Sequence, residues 1–295
     1  MIEYLISAII FTLISLLIPP LMDGVERKIK ACIHSRVGPP ITQTWYDLLK
    51  LFEKELVIPE GGLYIIILSL LYIMLVVLTV VSTIFMVLIG YPYTLVIIIT
   101  LLLFIQAIHT TIPFITSNPF AIIGASREVI LALVNEFFFM IILGLYMYFT
   151  GSPGLLLGSP DLLRASIIVL VIALFISAYI ISGRIPFDIA EAEPELASGL
   201  LIELSGPVLG MFLLMLHIKR FFVKLLPTIL LLGVFIHDPV ILLMVSVVVV
   251  VIVWTLYSIV AAILGRSRVD LAPITLLKVY IALIALSLLG YFIGV

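Results

Sequence analysis

Charge is scarce in this sequence. Lys, Arg, Asp and Glu make up 11% of 295 residues and hydrophobic residues 64%, with a mean hydropathy of +1.41, far from the roughly 25% charged and 45–50% apolar of a soluble domain. That balance excludes a water-soluble globular protein and leaves a polytopic membrane protein. A single cysteine, Cys32, excludes an internal disulfide and any all-cysteine cluster, and His34, His109, His217 and His237 lack ligand-like spacing, so this chain is expected to hold no metal. A formal net charge of -2 without a basic run offers no phosphate-neutralising surface and argues against nucleic-acid binding. No basic stretch precedes the apolar residues 4–19 and no small-residue cleavage site follows them, so they are expected to stay as a first span and not to act as a signal peptide. No internal repeat or Gly/Ser linker divides the chain, and residues 1–295 are read as one integral membrane domain.

What is present is apolar length. About 20 such residues cross the hydrocarbon core, and runs of that size fall near 2–21, 63–89, 93–115, 128–149, 164–182, 199–217, 239–264 and 273–294. The expected fold is therefore all-α, with about eight transmembrane helices. Lys224 and Pro227 interrupt the short run from Phe221 to Ile236, which is expected to be re-entrant or to lie on the surface. Of the 15 Lys and Arg residues, Arg27, Lys28, Lys30, Arg36, Lys50, Lys54, Arg127, Arg184, Arg266, Arg268 and Lys278 then share one side, with Arg164, Lys219, Arg220 and Lys224 on the other. The positive-inside rule puts the first set in the cytoplasm and both termini outside.

The scarce acid is concentrated. Residues 183–206, GRIPFDIAEAEPELASGLLIELSG, hold Asp188, Glu191, Glu193, Glu195 and Glu203. On a helix Asp188, Glu191 and Glu195 would share a face, and Glu203 falls in the sixth apolar run, so acid is expected to lead from a cytoplasmic loop into the membrane. Glu136 lies ten positions into the fourth run, roughly 15 Å deep at about 1.5 Å per residue. An ionised group there costs at least about 2.5–3.5 kcal/mol unless it faces protein or water. Glu136 and Glu203 are thus candidates for proton handling; the bland reading is a packing carboxyl, for Glu136 beside Asn135. Gln106 and His109, at i and i+3, share a face, and a lone His of this kind is more often a packing residue than a relay. His217 is read as interfacial.

Residues 26–55, ERKIKACIHSRVGPPITQTWYDLLKLFEKE, are too polar to span. Trp45, Leu48, Leu49, Phe52 and Leu56 recur at three- and four-residue spacing with Asp47, Lys50, Glu53 and Lys54 on other faces, as in an amphipathic helix lying in the interface. Pro39 and Pro40 keep it from running back into Arg36. By composition alone this segment, like Arg266, Arg268, Asp270 and Lys278, could be no more than a charged anchor.

Taken in order, these segments resemble the membrane subunit shared by respiratory complex I, where it is subunit 1, and by the group 4 energy-converting hydrogenases. The resemblance rests on ERK at Glu26–Lys28, RxGP at Arg36–Pro39, DxxKLxxKE at Asp47–Glu55, Arg127 with Glu136, PFDxxEAExE at Pro186–Glu195, Gly199 with Glu203 and the following Ser-Gly, and RxRxD at Arg266–Asp270 with Lys278. Quinone-reducing members carry a longer stretch before the Gln. Here Gln43 follows Pro39 by four residues, and the compact GPPxxQxxYD form is similar to the hydrogenase-type and ferredoxin-linked complexes. Ala190, Leu216, His217 and Leu271 also depart from the complex I pattern.

The resemblance implies a chain that is non-catalytic by itself and carries no redox centre. It implies Fe–S and, in hydrogenase-type members, NiFe centres in partner subunits: a peripheral NiFe-hydrogenase-like large subunit and an Fe–S small subunit, fed by ferredoxin, with antiporter-like membrane subunits alongside in the lipid. By the same resemblance Arg36, Arg184, Asp188, Glu191, Glu193 and Glu195 would line a coupling chamber. Glu136 and Glu203 would continue it as an intramembrane proton path. Glu26, Arg27, Asp47, Lys50, Lys54, Glu55, Arg127, Arg266, Arg268, Asp270 and Lys278 would form the docking interface. Two other readings stay open: a quinone-site subunit of a complex I-like NADH, F420H2 or ferredoxin:quinone oxidoreductase, and a non-conducting scaffold.

Overall fold

The computed structural model describes residues 2–57, 62–116, 118–152, 154, 164–189, 201 and 203–294. Among them nine helices and no strand are found: α1 (Ile2–Ile33), α2 (Gln43–Phe52), α3 (Gly62–Ile89), α4 (Thr94–Ile115), α5 (Pro119–Thr150), α6 (Ala165–Ile181), α7 (Gly206–Leu232), α8 (Pro239–Ile263) and α9 (Leu271–Ile293). In hydrocarbon every backbone N–H and C=O must be satisfied within the segment, which selects helices for these Leu-, Ile- and Val-rich runs. Their ends follow local chemistry. Asn118 caps α5 by accepting the Phe120 N–H at 2.9 Å, with Pro119 opening the helix. Asp238 accepts the Val240 N–H at 2.9 Å ahead of α8, and Gly151 ends α5 in the left-handed region at φ 65°.

Eight long helices and one short one give the expected all-α membrane architecture, but three boundaries differ from the sequence reading. The expected re-entrant piece at 221–236 does not exist as such: residues 206–232 form one continuous helix. It packs against α1, α2, α3, α6 and α8, and every residue from Met215 to Leu230 is buried. Lys219, Arg220 and Lys224 therefore lie inside the bundle and not at its opposite end. The criterion of apolarity fails here because α7 is solvated by protein and not by lipid, so its charges need partners and not water. Second, α5 begins at Pro119 and not near 128, which brings Arg127 into the helix and Glu128 away from its start. Third, α1 runs to Ile33, so the ERK segment expected in a loop is its last turns. At about 1.5 Å per residue its 32 residues reach roughly 48 Å, beyond the hydrocarbon core, and the overhang carries Asp23, Glu26, Arg27 and Lys30.

The polar connections gather at one end. Ser205 approaches Val57, Asn118 bonds Glu203, and the Ser267 N–H donates to the Pro186 carbonyl at 3.0 Å. The chain after α1 folds back so closely that a Cβ at Gly24 would lie 1.9 Å from the Ile41 carbonyl oxygen. Helix α2 lies across α7, where a side chain at Gly210 would meet Leu51 at 3.2 Å and the Phe52 ring at 3.5 Å, and it turns Thr44 to Asp23 of α1. The amphipathic helix is thus as expected, with a turned face: Leu49, and Leu56 beyond the helix, are exposed. Gly24→Ala should force this loop off α1 and cost about 1–3 kcal/mol, as overpacking does. A lowered thermal midpoint of the detergent-solubilised protein, with Gly265→Ala, where a Cβ would meet open space, as the neutral control, is the check.

Candidate functional site

Two buried polar groups meet on α7. The first lies where α1 overhangs. Asp23 and Glu26, at i and i+3, project from one face of α1 and are 4% and 2% exposed. A single nitrogen, Arg184 Nη2, sits 2.8 Å from Asp23 Oδ1 and 2.9 Å from Glu26 Oε2. Asp23 Oδ2 also accepts from Arg27 Nε at 3.0 Å and from Thr44 Oγ1 at 3.1 Å, and His217 Nδ1 stands 3.7 Å from Oδ1. Glu26 accepts the Trp254 indole N–H at 3.0 Å and pairs with Lys30 at 2.8 Å. Arg27 reaches on to Asp47 at 2.9 Å, which ties α2 to α1. All of these groups but Trp254 wall a cavity of about 300 Å³ together with Leu48, Leu51, Leu213, Leu216 and Arg220.

The second group runs inward from α7. Lys219 donates to Gln106 Oε1 of α4, and Gln106 Nε2 lies 3.5 Å from Glu128 Oε1 of α5. Two turns further along α5, Glu136 shares with Lys219 a small apolar cavity walled by Ile99, Leu102, Phe139 and Met140. Lys219 thus stands between two carboxylates of one helix. His109 is buried against the Phe212 ring, centroids 5.2 Å apart, and against Tyr72, which fits the packing role. Arg220, 5% exposed, lines both the large outer cavity and a small inner one shared by Glu128, Lys219 and Asp188, and so separates the two. Lys224 donates to the Arg220 carbonyl at 2.9 Å, with its ammonium 3.9 Å from the centroid of a Trp254 ring, a cation–π arrangement.

The predicted residues divide accordingly. Arg184 is central, and Glu136 is in the inner row. Glu26 was expected on the docking surface and is instead one of the most buried acids, because α1 carries it under α8. Glu203 was expected inside a span; it lies in the turn before α7, where it accepts from Asn118 at 2.6 Å. Its apolar neighbours misled, since the helix starts only at Gly206. Arg36 was expected in the chamber and is exposed on the loop after α1, outside both cavities. Asp188 faces the inner cavity and pairs with Arg266 at 3.0 Å. Glu191, Glu193 and Glu195 lie outside the described residues. Lys50, Lys54, Glu55, Arg266, Arg268, Asp270 and Lys278 are exposed at the loop end or near it, and Arg127 lines a surface cavity of about 360 Å³ with Arg266 and Arg268. The Asp270 carboxyl is held below its usual range, first by its own backbone N–H and further by Arg268. His217, expected at the interface, is buried beside Asp23. Asn135 accepts from Ser177 at 3.1 Å and from Tyr280, facing away from Glu136 as adjacent helix positions do.

Asp23, Glu128, Lys219, Arg220 and Trp254 were missed. A signal existed for most of them: Asp23 is i, i+3 from Glu26, Glu128 is eight residues before Glu136, and three cations in an apolar run mark an intramembrane charge by themselves. Removing one partner from a buried ion pair leaves the other uncompensated. Asp23→Ala should therefore cost about 3–5 kcal/mol, whereas Arg268→Ala, which breaks an exposed pair with Asp270, should leave stability nearly unchanged. Thermal unfolding of the two purified variants against the unsubstituted protein measures the contrast.

Residues 5–292 match the family described as NADH dehydrogenase. The chain is 31% identical over 218 residues to hydrogenase-4 component C of Escherichia coli, covering 70% of this chain and 68% of that one. It is 32% identical over 214 residues to formate hydrogenlyase subunit 4 of the same organism, covering 68% and 69%. It is 29% identical over 251 residues to NADH-ubiquinone oxidoreductase chain 1 of Salmo salar, covering 79% and 76%. A chain of the membrane-bound sulfane sulfur reductase, an archaeal respiratory membrane complex, has the same fold, with a TM-score of 0.77, 22% identity and coverage of 98% and 99%.

Proposed function

The chain belongs to the NADH dehydrogenase subunit 1 family, and from that premise we propose that it is the membrane subunit of a ferredoxin-linked, ion-translocating respiratory complex of the hydrogenase or sulfur-reducing type. In this reading it is non-catalytic itself. It seats a peripheral arm made of a NiFe-hydrogenase-like large subunit and an Fe–S small subunit, which hold the redox centres, and it passes the effect of electron transfer to antiporter-like neighbours.

The observation that carries the reading is the buried polar series from the loop end into the bundle: Asp23, Glu26 and Arg184, then Arg220, then Lys219 with Gln106, Glu128 and Glu136. Charges so close in low dielectric cannot titrate independently. A movement of residues 182–189, or a charge arriving above them, shifts Arg184 and Asp188 and thereby the balance between Glu128 and Glu136 across Lys219. The wall of the 300 Å³ cavity supports this over a quinone site, since most of its residues are charged or polar and suit water better than an isoprenoid tail. The similarity to hydrogenase-4 component C and formate hydrogenlyase subunit 4 supports the same branch. Of the cations not buried in α7, Arg164 alone lies at the end opposite the polar connections, and by the positive-inside rule we place those connections in the cytoplasm.

Glu136→Gln in the assembled complex should abolish ion-gradient formation in vesicles while ferredoxin-dependent electron transfer through the peripheral arm continues. Both activities are measured on one preparation, and a full gradient in this variant would refute the reading. Loss of assembly would favour a scaffold instead.

A further inference from the structure

Between the loop end and Glu136 the series offers very little room. The inner cavity beside Arg220 has a volume of about 20 Å³, and those at Glu136–Lys219 and at Gln106–Glu128–Glu136 about 10 Å³ each. Each accommodates roughly one water molecule. A hard metal cation needs a shell of several oxygen ligands, and a space of one water leaves no room for it to bring that shell as hydration water. Nor are the donors available: Gln106 Oε1 is occupied by the Lys219 ammonium, and among the described residues no group of three or more His, Cys, Asp or Glu is placed to hold a metal ion.

Charge acts in the same direction. The guanidinium of Arg220, which stays protonated at any working pH, stands where the outer and inner cavities meet. Lys219, the next residue of α7, fills the position between Glu128 and Glu136 that a cation neutralising both carboxylates would take. Fixed positive groups in a narrow, poorly hydrated passage exclude mobile cations. They would exclude hydronium too, but a proton need not travel as hydronium. It can pass from water to carboxylate, and across Lys219 once that ammonium has donated one of its own protons onward, by exchange along hydrogen bonds, with no space required beyond that of the side chains.

We propose that this chain discriminates between ions, and that Lys219 and Arg220 make its inner row a path for protons that sodium cannot enter. The proposal rests on the coupling reading above and goes beyond it by assigning the ion and two specificity-determining residues. Sodium movement by the complex, where it occurs, then belongs to other subunits.

The test is an infrared titration of the purified complex, exchanging K⁺ for Na⁺ at constant pH and constant ionic strength. The protonated-carboxyl band of Glu136, identified by its loss in Glu136→Gln over a pH series, should be unaffected by Na⁺ in the wild type. In Lys219→Gln/Arg220→Gln, Na⁺ but not K⁺ should remove most of that band. Lys219→Arg, which keeps the charge, should behave like the wild type. A wild-type band that Na⁺ diminishes would overturn the proposal whether or not the double variant assembles. So would a double variant as insensitive as the wild type, or the absence of any band lost in Glu136→Gln. A full ion gradient in Glu136→Gln defeats the coupling reading separately, because it does not depend on which cation the site admits.

Discussion

Three cations buried in one helix set the terms for the rest of this structure. Lys219, Arg220 and Lys224 are each 5% exposed or less, at a depth where an uncompensated charge is costly. Each is accommodated differently. Lys219 has the Gln106 carbonyl and the carboxylates of α5, Lys224 a backbone carbonyl and the face of Trp254, and Arg220 the polar walls of two cavities. The surrounding helices are placed to supply these partners: α4 contributes Gln106, α5 Glu128 and Glu136, α8 Trp254, and α1 the acids beneath Arg184. Helix α7 is the axis of the bundle because its neighbours solvate it.

The same requirement couples the loop end to the interior. Arg184 holds Asp23 and Glu26 with one nitrogen, Trp254 links Glu26 to Lys224, and Arg220 separates the outer cavity from the inner row. A change at the connection after α6 cannot leave these partners undisturbed, since Arg184 is bonded to both Asp23 and Glu26. This gives the proposed coupling a physical basis in the chain's own charges, and it places the sensitive region at the boundary between α7 and the loops.

Much of the architecture was legible in the sequence because lipid imposes a simple rule: long apolar runs without charge are helices that span. The rule located α3, α4, α6, α8 and α9 closely. It failed for α7, where charge interrupts the run but protein replaces lipid, and for the starts and ends of helices that project beyond the hydrocarbon, as α1 does at Glu26. Site residues followed the same division. Glu136 stood out as an acid in an apolar run, and Arg184 through the resemblance. Asp23 and Trp254 did not, because their roles depend on contacts across 161 and 228 residues of chain respectively, which no local spacing encodes. Glu203 misled for the opposite reason, having apolar neighbours but a turn for a backbone.

The central claim is that the inner row acts as one connected unit, and Gln106 is its most direct probe, since that side chain alone bridges Lys219 to Glu128 without carrying charge. The decisive measurement is the ion gradient formed per electron transferred by vesicles containing Gln106→Leu, compared with Gln106→Glu, which preserves an acceptor for Lys219. The account predicts that the Leu variant transfers electrons but forms little gradient, with partial recovery in the Glu variant. A normal gradient per electron in the Leu variant would contradict it.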